Sequence, residues 1–239
     1  MLNHRDNKYH AKRDLESTAV LLHERFPQRN ILIIKPVKMA LMTFSCYENF
    51  LEVNNFGAPT YKFNYDCLKH LRMLLQNVEP IIKSQQNLEC RETISTNILA
   101  SGQKILVGFS KGCVVLNQLL YAFTALNETP DCEIETLVRS IESMYWLDGG
   151  HSGASCTWVT EKNVLHNFSK LKVDVHIHVT PYQVLCDTRP RIGQEEKKFR
   201  ESLSRLGVNV KRVLHFENEV RSLDMHFKIL DVFESVAED

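Results

Sequence analysis

KILVGFSKGCVVLNQLLYAFTAL, residues 104–126, runs from an apolar stretch through a serine set between two glycines into a helical repeat. Lys104 to Phe109 reads as a buried strand, because it is short, apolar and bounded by a turn. Ser110-Lys111-Gly112 is the turn. From Cys113 the apolar positions Leu116, Leu119, Leu120 and Phe123 recur at helical spacing. Gly108-Phe109-Ser110-Lys111-Gly112 therefore fits G-x-S-x-G in the strand–turn–helix setting that a nucleophile elbow requires. The alternative is a plain β–α turn with a capping serine. In the elbow reading Ser110 is the nucleophile and the Lys111 backbone N–H is an oxyanion donor. Bulky side chains at Gly108 and Gly112 would clash with neighbouring chain.

The rest of the sequence alternates helical and strand patterns around this unit. Asp14 to Phe26 reads as a helix stopped by Pro27. Ile31 to Ile34 reads as a buried parallel strand. Residues 37–63 read as irregular, and Asp66 to Ile82 as an amphipathic helix broken at Pro80. Residues 83–102 read as a surface insertion. Beyond the elbow helix, 134–141 continues helically and Met144 to Leu147 forms a strand ending in Asp148-Gly149-Gly150. Val173 to Thr180 alternates, with Val173, Val175, Ile177 and Val179 opposite Asp174, His176 and His178. That pattern predicts a strand off-centre in the sheet. Glu195 to Leu206 is a helix, Val208 to Phe216 the last strand, and Asp224 to Val236 the last helix, with Asp224 as its cap. The expected class is α/β: a mostly parallel sheet with helices on both faces, resembling an α/β-hydrolase, over one domain spanning 1–239.

A serine nucleophile needs a base and an orienting acid, which follow it in this fold in the order acid then histidine. His226 lies beyond the last strand at the start of the final helix. His215, inside that strand, is the weaker base. Asp148 ends the strand after the elbow helix and is the favoured acid. Asp187 is the alternative, and Thr180-Pro181-Tyr182-Gln183, where the next strand ends, offers no carboxylate. His176 and His178 share a strand face, but no third ligand at a telling spacing accompanies them. No metal or cofactor is expected.

Bulk properties narrow the function classes. Lys plus Arg and Asp plus Glu each total 29, giving zero formal net charge and no global pull toward nucleic acid. Seven cysteines without a CxxC spacing argue against a disulfide framework and a zinc ribbon. No apolar run reaches the ~20 residues of a membrane span. The expected partner is a small acyl or lipid substrate, and no protein partner is indicated.

Longer strings carry a resemblance. GFSKGCVVLNQLL (108–120), MYWLDGGHSG (144–153), TWVT (157–160), HVTPYQV (178–184), FSCYENF (44–50), FGAP (56–59) and the His226-Phe227 segment resemble the chromosome 2 open reading frame 69 family. The resemblance implies an α/β-hydrolase-like fold, a mitochondrial setting and Ser110 as nucleophile, with Asp148 and His226 in matching segments. Its members carry an upstream targeting sequence and a strand, and in α/β-hydrolases the loop after the corresponding strand usually supplies a second oxyanion N–H. The expectation is thus that this chain is N-terminally short, with central strands missing and no visible targeting sequence, which leaves a cytoplasmic setting open. Two functions follow. One is a serine esterase, lipase or thioesterase working through an acyl-serine intermediate on Ser110, His226 and Asp148. The other is a pseudo-hydrolase that binds without turnover.

Overall fold

The computed structural model describes residues 14–40, 44–55, 57–85, 99 and 102–234. Its frame is a four-stranded, wholly parallel sheet of β5 (Lys104–Phe109), β6 (Ile141–Leu147), β7 (Asp174–Val179) and β8 (Val210–Leu214), in that spatial order. Parallel neighbours require crossovers long enough for a helix. These are α3 (Cys113–Glu128) with α4 (Cys132–Arg139), α5 (Lys162–Ser169), and α6 (Pro181–Val184) with α7 (Arg191–Arg205). Before them come α1 (Leu15–Arg25) and α2 (Asp66–Gln85), and α8 (Leu223–Val232) ends the described chain.

The period-2 alternation of the strands divides the core in two. Met144 and Trp146 of β6 face a large cluster with α2, α3, α4, α5 and α7, joined by Val175, Ile177 and Val179 of β7. Tyr145 and Leu147 point the other way, into a smaller cluster with Leu22 and Phe26 from the α1 end and Ile229, Leu230 and Phe233 from the α8 end. The helix α3 is buried almost all round, which explains its near-continuous apolar composition.

Several sequence expectations are corrected here. Ile31 to Ile34 form no strand. The segment is extended, and Ile31 and Ile33 pack on the smaller cluster without a ladder among the described residues. Residues 37–63 are not wholly irregular, since β1 (Lys38–Ala40) pairs with β2 (Phe44–Cys46) and β3 (Glu52–Val53) with β4 (Pro59–Thr60). Pro80 does not break α2 but sits inside it on the exposed face, where water can take the carbonyl its ring releases. The insertion expected at 83–102 falls mostly outside the described residues. The strand after α4 starts at Ile141 rather than Met144. Ser222, not Asp224, caps α8, accepting from the Met225 N–H at 3.4 Å.

The alternation of β7 has a different cause from the one expected. This strand has a neighbour on each side, and His176 and His178 are buried at 3% and 2% exposure. The His176 ring stacks on Tyr145 at 4.1 Å, and His178 Nδ1 lies 2.9 Å from His215 Nε2. Among the described residues no group of three His, Cys, Asp or Glu could hold a metal.

Burial pushes His176 down to about 4 and His178 to about 3, with Lys211 adding to the first and His215 and His176 to the second. Unfolded histidines bind protons near pH 6.5, so between there and pH 4 the unfolded chain holds protons that the folded chain does not. Stability therefore falls as pH is lowered through that window, by at most about 1.4 kcal/mol per pH unit for each histidine. Denaturation followed in urea at pH 7, 6 and 5 is expected to show this loss. His176→Phe, which keeps a ring on Tyr145, should reduce the slope by the His176 share, and an unchanged pH slope would refute the assignment.

Candidate active site

The carboxyl ends of parallel strands are where open α/β sheets gather ligands. Ser110 follows β5 there, Asp148 follows β6, Thr180 follows β7, and His226 arrives on the first turns of α8.

Ser110 holds φ +52° and Asp148 φ +48°, both in the left-handed region. A side chain there costs roughly 1–2 kcal/mol, less for aspartate than for serine. Each residue thus turns its side chain abruptly off the end of a strand. Gly108 makes the first turn possible, because a Cβ there would come within 2.9 Å of Leu116 and 3.0 Å of the Cys113 backbone. The expected clash at Gly112 is not found: the nearest atom to a Cβ there is the Tyr47 hydroxyl, at 3.7 Å. Burial pushes that phenol up to about 12, so it carries its proton at neutral pH.

The structure brings Ser110, His226 and Asp148 into one hydrogen-bonded chain. Asp148 Oδ2 lies 2.6 Å from His226 Nδ1, and His226 Nε2 lies 2.9 Å from Ser110 Oγ. A carboxylate facing Nδ1 places the imidazole proton there, which leaves Nε2 to accept from the Ser110 O–H. Burial is graded along the chain: Asp148 is wholly buried, His226 is 4% exposed, and Ser110 is half-buried at the surface end. The imidazole is held flat by Phe109, stacked at 4.9 Å, with Phe227 at 5.3 Å and Tyr182 at 5.4 Å around it.

Thr180 is the group that sequence reasoning missed. Its backbone N–H donates to Asp148 Oδ1 and its hydroxyl to Oδ2, each at 2.7 Å. With His226, three donors fix the carboxylate. The strand end that lacks an acid is the one that holds the acid. The available signal was a threonine placed directly after β7, with Pro181 opening the next turn.

Asp187 is left out, because its side chain is 98% exposed and stands 3.7 Å from Arg221. His215 lies just past β8 and turns to His178 rather than to Ser110. Lys111 is buried, with its ammonium over the Phe44 ring at 5.1 Å, and burial lowers its pKa. Its backbone N–H follows Ser110 on the turn Ser110–Gly112 that opens α3. Cys113 is buried, its Sγ contacts the Gly108 carbonyl at 3.1 Å, and burial pushes its thiol up, so it is unreactive. The loop after Asp148 is braced from α7. Glu195 accepts the N–H groups of Cys156, Thr157 and Trp158, and Arg191 donates to the Thr157 hydroxyl and the Gly153 carbonyl.

Comparison with known proteins identifies relatives of the chain. The family model described as C2orf69 matches residues 1–104 and 82–209. The mitochondrial protein C2orf69 of Homo sapiens is 38% identical over 271 residues, covering 98% of this chain and 70% of the relative. Its homologue in Mus musculus is 38% identical, covering 98% and 73%. The Danio rerio homologue is 41% identical, covering 92% and 64%. No solved structure matches.

Proposed function

The chain belongs to the C2orf69 family, and from its Ser110–His226–Asp148 array we propose that it is a serine hydrolase of the α/β-hydrolase type, cleaving ester or thioester bonds through an acyl-serine intermediate. The observation that carries the reading is the pair of bonds at 2.6 and 2.9 Å, running from a buried carboxylate through an oriented imidazole to a serine on a left-handed turn. A structural serine needs neither the strain nor a histidine held at both nitrogens.

The chemistry follows from the groups in place. Ser110 Oγ attacks the acyl carbonyl while His226 Nε2 takes its proton. The Asp148 carboxylate, bonded to Nδ1–H, stabilises the imidazolium that forms. The Lys111 N–H supports the developing oxyanion. The imidazolium then protonates the departing alcohol or thiol. Water, deprotonated by the same imidazole, releases the acyl group and restores Ser110. The substrate class is a small acyl or lipid ester or thioester. The mitochondrial setting of the relatives supports the same setting for this chain.

The test is hydrolysis of 4-nitrophenyl and thioester acyl series by purified protein, beside labelling with a fluorophosphonate. Turnover with stoichiometric labelling is expected. A folded protein that does neither would contradict the reading.

Thr180 gives a sharper check of the orienting part. Thr180→Val removes one hydroxyl bond to a buried carboxylate and keeps the backbone N–H bond. A hydrogen bond to a charged group contributes about 1.5–3 kcal/mol, so kcat/KM is expected to fall roughly 10–100-fold while the fluorophosphonate still reacts, more slowly. An unchanged kcat/KM would show that Thr180 does not position Asp148.

A further inference from the structure

Residues 180–183 run past two members of the array and the loop beside the third. Thr180 holds Asp148, Tyr182 lies 5.4 Å from the His226 ring, and Gln183 packs against Gly150 in the loop that follows Asp148. Gly150 is tied in turn to the elbow, its N–H donating to the Ser110 carbonyl at 3.4 Å. The contact between Gln183 and Gly150 is close. A Cβ at position 150 would overlap the Gln183 amide, coming within 2.7 Å of Cδ and 2.8 Å of Oε1. The glycine is what admits the amide to this position.

Gln183 is 4% exposed, and its Oε1 is buried with no hydrogen-bond partner among the described residues. A buried acceptor without a donor is costly, and an apolar side chain of the same length would remove the cost. The chain instead keeps the amide, fixes its backbone through the Gln183 N–H to the Thr180 carbonyl at 3.1 Å, and clears space for it with Gly150. This oxygen lies one residue contact from the elbow, through Gly150 to the Ser110 carbonyl, and a buried group left unsatisfied beside such a site is one that a ligand can complete.

We propose that Gln183 is a substrate-binding residue whose Oε1 accepts a hydrogen bond from the substrate. The assignment rests on the hydrolase reading of Ser110. It narrows the substrate class to an ester or thioester that carries an O–H or N–H donor within a few bonds of the scissile carbonyl, such as a hydroxyacyl group or an amide-bearing thiol. A plain hydrocarbon ester would leave Oε1 buried and unpaired in the complex. Sites built around a substrate hydrogen bond reject analogues that lack it for this reason.

The experiment compares kcat/KM within two matched pairs. On the acyl side these are 4-nitrophenyl 3-hydroxybutyrate and 4-nitrophenyl butyrate. On the leaving side they are the butyryl thioesters of N-acetylcysteamine and of pentanethiol. The wild-type protein is expected to prefer the donor-bearing member of at least one pair by about 10–100-fold. Gln183→Met should bring that ratio close to one with an unchanged or raised Tm, and Gln183→Leu serves as a second apolar variant. A wild-type ratio near one in both pairs, or a ratio that survives both substitutions, overturns the role of Gln183 and leaves the hydrolase reading standing. Failure of the wild type to turn over any of the four compounds sinks the hydrolase reading and the Gln183 role with it.

Discussion

Ser110→Ala is expected to lower kcat/KM on an activated ester by about 10⁵–10⁶-fold, the scale seen when a serine nucleophile is removed from a complete array. Ser110 sits at φ +52°, where a side chain is disfavoured, so the fold sustains strain to present this hydroxyl. Alanine keeps the Cβ, and with it the strain, and removes only Oγ and its 2.9 Å contact with His226. Stability should therefore change little. Ser110→Gly makes the complementary case. It is as inactive as the alanine variant, yet it relieves the left-handed strain and should raise stability by roughly 1 kcal/mol, or about 2–4 °C in Tm for a chain of this size. Loss of activity with a gain of stability at one position is the signature of a residue held against its local preference for chemistry. A glycine variant less stable than wild type would show that the hydroxyl is structural. A Ser110→Ala variant with substantial turnover would place the nucleophile elsewhere.

The second large effect is at Asp148. Asp148→Asn is expected to cost about 10⁴-fold in kcat/KM. The carboxylate accepts from three donors: the Thr180 N–H, the Thr180 hydroxyl and His226 Nδ1–H. An asparagine offers one acceptor oxygen and brings an NH₂ group to a site that presents only donors. If the oxygen stays with Thr180, the NH₂ faces His226 Nδ1 and drives the imidazole proton to Nε2. A protonated Nε2 cannot take the Ser110 proton. Stability falls as well, by roughly 1–3 kcal/mol, because a buried donor is left unpaired. Asp187→Asn is the control. Its side chain is 98% exposed and meets only Arg221, so activity and Tm should both hold. Measuring kcat/KM and Tm for the two variants side by side separates the carboxylates. Equal losses, or a loss only at Asp187, would reverse the assignment.

The parts of this site legible in the sequence are those whose chemistry and local periodicity coincide. Residues 104–126 show a strand, a glycine-flanked serine and a helix in order, and the structure has β5, the turn and α3 at those positions. Asp148 is visible because it ends an apolar strand before two glycines. The sequence favours Asp148 over Asp187 only by its place at a strand end, because what separates them is where Thr180 and His226 lie in space, and both are distant in sequence from Asp148. His176 and His178 misled for a related reason. Alternation of polar and apolar residues reports side-chain type, while the cover on the histidine face comes from Phe233 at the end of α8, more than fifty residues on. Gln183 has no sequence signal of its own. Its interest arises from an orphaned oxygen and a glycine in a different loop. Pro80 shows the converse error, where a local rule was outweighed by the apolar face α2 buries on the core.

The central claim is that Ser110 is a nucleophile activated by His226. The most direct measurement is peptide mapping by mass spectrometry after reaction of the folded protein with a fluorophosphonate. The account predicts one adduct per chain, carried on Ser110, and its loss in both Ser110→Ala and His226→Ala. An unreacted folded protein, or an adduct that persists in Ser110→Ala, would contradict it.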